Sequence, residues 1–287
     1  MYFGTGPPKS AGLWRWYCCR VIDTHCHLTF PDFDGAHDRI LVEAAGAGVS
    51  GMITISTTTR DCLEALKIAE SHERVWCTAG VHPLYSDKGP HEWKNLRLVA
   101  SRPKCVAWGE LGLDNHYPKP AQEVQRAVLD EQLAFIEGCR RGDGGGGGAI
   151  DKPIVLHCRE AFSDLIPVLR ATKLEAARFV FHCFTGGPED MRQLLDFGAM
   201  VSFTGVVTYK NAKATQEAAK MVPRERMMVE TDAPFLPPEP VRTQRPCRPA
   251  MVRHTAEFLA ALRGEAFESF HEQLNVNTRR FFGIDAH

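Results

Sequence analysis

Short apolar runs alternate with longer amphipathic stretches along nearly the whole chain. The apolar runs fall at 20–25, 51–56, 75–82, 105–114, 153–158, 179–184, 199–205 and 226–232. Each is close to continuously hydrophobic, the pattern of a strand covered on both faces. Helical spacing marks 36–48, 58–72, 121–141, 160–171, 188–197 and 211–221, and a helical pair at 250–262 and 265–282 closes the chain. Strands alternating with helices predict a parallel sheet covered by helices. Eight units favour an α/β fold of the closed (β/α)8 TIM-barrel type over an open doubly wound sheet, and 287 residues suit one such domain. An open sheet that binds a nucleotide would carry a glycine-rich first turn. Here the first run ends in His25-Cys26-His27.

The pattern assigns a single barrel domain to 20–287 and leaves 1–19 as an extension, expected to be poorly ordered. Residues 1–20 hold two arginines and no acidic residue but lack the apolar stretch of a secretory signal, so a weak mitochondrial presequence is the lesser reading. "GDGGGGGA" at 142–149 reads as a flexible insertion between a helix and a strand.

Composition changes the picture in two places. A net charge of −1 provides no global basic field for a long nucleic acid, so phosphate binding must be local. The stretch 240–256 allows it, with Arg242, Arg245, Arg248 and Arg253 and no acidic residue. The ten cysteines include no CxxC pair, which suggests reduced thiols in a reducing compartment, cytoplasmic first and nuclear or mitochondrial otherwise. Cys26, Cys158 and Cys183 adjoin histidines, but strand neighbours point to opposite faces, so they read as packing residues. No apolar run approaches the roughly 20 residues that span a bilayer, so no membrane partner is expected, and a monomer is.

Polar residues that would be costly inside a strand collect at the C-terminal ends of the runs. They are His25 and His27, His82, Glu110 and Asp114, His157, His182, and Asp232. Any one of them alone reads as a hydrogen-bonded core histidine or a loop carboxylate. Together they do not, because in a barrel all these ends meet on one face, where catalytic loops sit. Neutral imidazoles with carboxylates suit zinc, manganese or a similar divalent ion.

The chain resembles the TatD-type metal-dependent deoxyribonucleases, within the amidohydrolase-like barrels. The resemblance covers about residues 20–283 and rests on "DTHCHL" (23–28), "GVHPL" (80–84), "GELGLD" (109–114), "LHCRE" (156–160), "HCFTG" (182–186), "VSFTG" (201–205), "ETDAPFL" (230–236) and "NTRRFFG" (277–283). It implies two or three divalent metal ions (Mg, Mn or Zn). By analogy, His25, His27 and Asp232 hold one ion, and Glu110 bridges to a second bound by His157 and His182. Asp232 would also orient the attacking water, making it and Glu110 the catalytic pair. His82 and Arg159 would face the scissile phosphate, with Arg242 and Arg245 as further phosphate contacts, and Asp114 would organise the site. The resemblance implies hydrolysis of phosphodiesters from the 3′ end of DNA, single-stranded or frayed, with RNA also a candidate. Relatives are also linked to cutting at abasic sites, which points to DNA repair, and to releasing D-amino acids from tRNA. A D-aminoacyl-tRNA deacylase or a small-molecule amidohydrolase is therefore the alternative. One departure bears on substrate: where the family often carries an Asn-Glu-Pro element, this chain has Cys247-Arg248-Pro249.

Overall fold

The computed structural model describes residues 20–143 and 148–284. The N-terminal extension and the centre of the glycine insertion lie outside the described residues. Eight strands follow in order: β1 (Val21–Cys26), β2 (Val49–Thr54), β3 (Val75–Ala79), β4 (Cys105–Asp114), β5 (Ile154–Arg159), β6 (Phe179–Phe181), β7 (Met200–Phe203) and β8 (Met227–Val229). They pair in sequence order and every pair is parallel. β1 meets the segment just after β8 at a parallel bridge between Cys26 and Ala233. There the His27 N–H donates to Ala233 O at 2.7 Å and the Asp232 N–H to His25 O at 2.8 Å. The seam that closes the barrel is thus made by the residues that carry His25, His27 and Asp232.

The helices around the barrel are α1 (His37–Gly46), α2 (Asp61–Ser71), α3 (Trp93–Ala100), α4 (Gln122–Arg141), α5 (Phe162–Ala171), α6 (Pro188–Phe197), α7 (Lys213–Met221), α8 (Val252–Arg263) and α9 (Phe267–Phe282). Helix α3 is additional to the predicted stretches; its 8 residues are too few for a clear period. Among the described residues no helix is long and apolar enough to cross a membrane.

Four strands, β3, β6, β7 and β8, are shorter than the sequence pattern suggests. β3 stops at Ala79, β6 at Phe181 and β8 at Val229, so His82, His182 and Asp232 lie just past strands rather than in them. The ladder breaks because the chain turns there: Cys183 and Asp232 have positive φ angles of 45° and 55°. Such a backbone is uncommon for non-glycine residues and clusters at functional sites.

Alternation along the strands sorts the apolar residues into two cores. One lies under the helices. The other fills the barrel with Ile53, Ile55, Val106, Val155, Val180, Met200 and Met228, together with Phe282 and Ile284 from the end of the chain. Two positions farther along, the same inward rows turn polar. Val155 is followed by His157, Val180 by His182, and Met228 by Glu230 and then Asp232. The period of two along a strand therefore aims these groups at the barrel axis above an apolar floor. Close strand approach at that level needs glycine. A Cβ on Gly112 (φ +150°) would lie 1.9 Å from the His157 carbonyl oxygen, and one on Gly80 would lie 2.5 Å from the Gly109 backbone.

Candidate metal centre

Glu110 stands at the middle of the mouth and is almost wholly buried. Its Oε1 lies 2.6 Å from His182 Nε2, 2.8 Å from His157 Nδ1 and 3.4 Å from His82 Nε2. Its Oε2 faces the other way, 3.3 Å from His25 Nε2. On that side Asp232 Oδ1 lies 3.2 Å from His27 Nε2 and 3.6 Å from His25 Nε2. One carboxylate therefore reaches two groups of donors. Three sets of potential ligand atoms lie mutually within 4.8 Å: His25, His27 and Asp232; His25, Glu110 and His182; and His82, Glu110 and His157.

Hydrogen bonding alone does not satisfy this arrangement. Ring nitrogens face one another at 3.3 Å between His25 and His27, 3.3 Å between His157 and His182, and 3.1 Å between His82 and His157. In each pair one nitrogen must bear a proton or two lone pairs collide. Glu110 Oε2 is buried with no hydrogen-bond partner. Converging lone pairs and a buried, orphaned carboxylate oxygen are what a divalent cation compensates, and oxygen with imidazole nitrogen is a donor set such ions accept. The residues present fit a metal centre.

The chain matches a family model described as TatD related DNase over residues 22–283. It belongs to the TatD family. It is 36% identical over 269 residues to the metal-dependent hydrolase YcfH of Escherichia coli strain K12, covering 93% of this chain and 97% of that one. It is 35% identical over 272 residues to a protein named 3′-5′ ssDNA/RNA exonuclease TatD of Pantoea ananatis, covering 92% and 100%. The crystal structure of YJJV, a TatD homologue from E. coli K12, superposes with a TM-score of 0.83 at 30% identity, covering 93% of this chain and 100% of that one. The chain is a metal-dependent hydrolase of this family.

In this TatD-family site neighbouring groups fix which nitrogen His27, His182, His157 and His82 offer. The His27 Nδ1–H donates to Ile55 O at 3.3 Å and the His182 Nδ1–H to Glu230 Oε1 at 3.3 Å, leaving each Nε2 lone pair toward the centre. His157 donates through Nε2 to Asp114 Oδ2 at 2.9 Å and turns Nδ1 to Glu110. Such outer partners set tautomer, orientation and basicity. His82 is arranged the other way round: its Nδ1 accepts from the Leu84 N–H at 3.0 Å, so in the neutral ring the proton sits on Nε2 and points into the site. A donor there suits a phosphate oxygen or a water better than it suits a cation.

Asp114 also accepts the His116 and Tyr117 N–H groups, each at 3.0 Å, on Oδ1. In Asp114→Asn, the side-chain amide can set an N–H against His157 Nε2, which disturbs the tautomer. We expect a roughly 10- to 100-fold loss of metal affinity or activity, read by metal titration of purified protein. A variant that binds metal as wild type does would remove Asp114 from the site.

Two buried carboxylates escaped the sequence reading. Glu230 accepts from the Cys183 N–H at 2.6 Å, the Ser202 hydroxyl at 2.5 Å and His182. Asp23 accepts from the Thr231 N–H at 2.9 Å and hydroxyl at 2.6 Å, tying β1 to the Asp232 loop. The signal was present: each lies two residues before a proposed ligand, Asp232 or His25, and so on the same strand face.

The arginines are not part of the ring of donors. Arg159 is half-buried, with its guanidinium 5.0 Å from the Tyr117 ring centroid. Arg242 lies over the Tyr209 ring at 3.8 Å and pairs with Glu239 at 3.7 Å. Arg245 is exposed in the same loop. Arg248 and Arg253 are engaged by Glu43 at 2.8 Å and Glu257 at 2.7 Å. The apparent basic stretch thus narrows to Arg242 and Arg245, because helices folded nearby supply the acids that its own sequence lacks. Cys26 and Cys158 are buried and Cys183 half-buried, with its Sγ 3.4 Å from Thr204 Oγ1.

Charge in the metal-free pocket is strongly coupled. Burial would raise Glu110, but the histidines at 182, 82 and 25, with the His157 hydrogen bond, hold it well below the usual carboxylate range. Burial would lower His182, but Glu110 and Glu230 lift it well above an ordinary histidine. His27 and His157 are also raised against their burial, by Asp232 and by Asp114 and Glu110. His82 is dominated by burial and falls to about 4. A raised histidine stabilises the metal-free fold fully below its unfolded value of about 6.5 and loses that contribution as pH rises through the raised folded value. A cation must displace the same protons. Metal affinity is therefore expected to climb between pH 6 and 8, about tenfold per pH unit for each proton displaced. Calorimetric Mn²⁺ titration across that range tests this, and a flat profile would contradict it.

Proposed function

We propose that this TatD-family hydrolase cuts phosphodiesters and removes nucleotides from the 3′ end of single-stranded or frayed DNA, with RNA as a second substrate. The observation that carries the reading is the division of Glu110, with one oxygen toward His157 and His182 and the other toward His25, beside His27 and Asp232. Divalent ions held there would supply Lewis acidity to activate water and neutralise charge on the leaving oxygen. Asp232, hydrogen-bonded to His27 and kept low in pKa against its burial by the neighbouring histidines, stays ionised and can accept the water's proton. His82, whose Nε2 lies beside His157 Nδ1 at 3.1 Å, would offer its proton to a phosphate oxygen bound at the centre. Arg159 ends β5, and Arg242 and Arg245 lie in the connection after β8; their planar guanidinium groups would match phosphate oxygens. A grip over a few phosphates at a strand end also agrees with a net charge of −1.

The test uses a 5′-labelled single-stranded oligonucleotide with Mg²⁺ or Mn²⁺. A ladder that shortens from the 3′ end and vanishes in chelator is expected. Metal-loaded protein that leaves both DNA and RNA intact would overturn the reading, and aminoacyl-tRNA would become the next substrate class to try.

A further inference from the structure

Among the described residues six large apolar side chains are exposed, and the two aromatic ones are Tyr117 at 45% and Phe235 at 46%. Both stand at the barrel mouth, each three residues past a carboxylate of the site, Asp114 or Asp232. Tyr117 is covered in part by the Arg159 guanidinium. Phe235 is different. It belongs to an aromatic series that starts at a proposed ligand. Phe30 stacks on His27 with ring centroids 4.7 Å apart and planes at 22°. Phe235 stands nearly perpendicular to Phe30 at 5.9 Å and 81°, and 6.3 Å from His27.

The loops that present these rings are braced. The Phe235 N–H donates to Asp232 O at 2.9 Å, and the Cys247 N–H to Pro234 O at 2.9 Å. The Phe30 N–H donates to His27 O at 3.1 Å and its carbonyl accepts from the Phe33 N–H at 2.9 Å. Prolines at 234, 237 and 238 stiffen the segment further. An exposed ring on a rigid loop keeps its face open at little entropic cost to a ligand, unlike one on a mobile tip. Arg242, in the same connection after β8, stacks on Tyr209 from the connection after β7.

We infer that Phe235, backed by Phe30, is a stacking platform for an unpaired nucleobase flanking the scissile phosphate. The inference rests on the nuclease reading and assigns the substrate class that the same site selects. A base in a duplex has both faces covered by its neighbours, so a ring at this place accepts one only from a single strand or a frayed end. Stacking on a π-face tolerates any base and ignores the 2′-hydroxyl. The platform therefore accounts for action on DNA and RNA alike without sequence preference.

The test is a cycle of variants against substrates. Wild type, Phe235→Ala and Phe235→Trp are assayed with Mn²⁺ on single-stranded oligonucleotides. These are intact or carry a baseless tetrahydrofuran residue at the last or next-to-last position. Phe235→Ala is expected to lose roughly 5- to 150-fold in kcat/KM on the intact strand, mostly through KM, with metal content unchanged. Phe235→Trp should retain the rate. On the baseless strand that wild type cuts poorly, wild type and Phe235→Ala should cut equally, because the partner of the ring is gone. An equal alanine penalty on all three strands, or a wild type indifferent to both baseless positions, would overturn the platform while leaving the nuclease intact. A wild type that cuts no strand at all would overturn the nuclease reading, and the platform with it.

Discussion

Glu110→Ala is expected to lower hydrolysis by about three orders of magnitude or more, since Lewis-acid stabilisation contributes several kcal/mol to the transition state. Its two oxygens face different donor groups, at 2.6 and 2.8 Å from His182 and His157 and at 3.3 Å from His25. Removing the side chain takes a ligand from both sides at once and leaves His82, His157 and His182 facing one another. The histidines then lose the charge that lifts His182 and His157. Wild type should gain thermal stability on adding Mn²⁺ by mass action, and the variant should gain little. Metal analysis with the oligonucleotide assay checks this. A Glu110→Ala protein that keeps its metal and its rate would remove Glu110 from the centre.

The second large effect is on stability. Glu230→Ala is expected to cost about 3–5 kcal/mol, the scale for breaking a buried charged network from one side. The carboxylate is 1% exposed and collects the Cys183 N–H, the Ser202 hydroxyl and His182 Nδ1–H. The Thr24 hydroxyl, 3.4 Å from Glu230, keeps an alternative acceptor in Val229 O at 3.1 Å. The Cys183 amide has no such freedom, because its backbone is held with φ +45°, and an orphaned buried donor costs about 1–3 kcal/mol. Urea unfolding of metal-free protein gives the number. Metal affinity should fall as well, since His182 loses the partner that orients it. A loss below about 1 kcal/mol would show that the amide finds another acceptor and that Glu230 is dispensable to the fold.

The two cores explain how much of this was legible in the chain. A near-continuous apolar run between amphipathic stretches is a local property, so eight strands and the barrel class can be read without contacts. The gathering of His25, Glu110, His157 and Asp232 was legible for the same reason, because barrel closure brings every strand end to one face. Exact strand ends were not. His82, His182 and Asp232 continue apolar runs in sequence, but the ladder ends before them at Ala79, Phe181 and Val229, with positive φ at Cys183 and Asp232. Arg248 and Arg253 looked available because the acids that engage them, Glu43 and Glu257, lie outside the basic stretch. Glu230 and Asp23 were hidden by their own motifs: each sits beside a more conspicuous residue, and the role of each depends on which N–H groups the fold aims at it. Phe235 lies inside the ETDAPFL motif, and the exposure of its ring depends on how the loop after β8 folds.

We propose that Glu110 bridges two ions. Anomalous diffraction from crystals grown with Mn²⁺ tests it most directly. Two peaks about 3.5–4 Å apart are expected, one beside His25, His27 and Asp232, the other beside His157 and His182, with Glu110 between them. A single peak, or peaks away from Glu110, would contradict it.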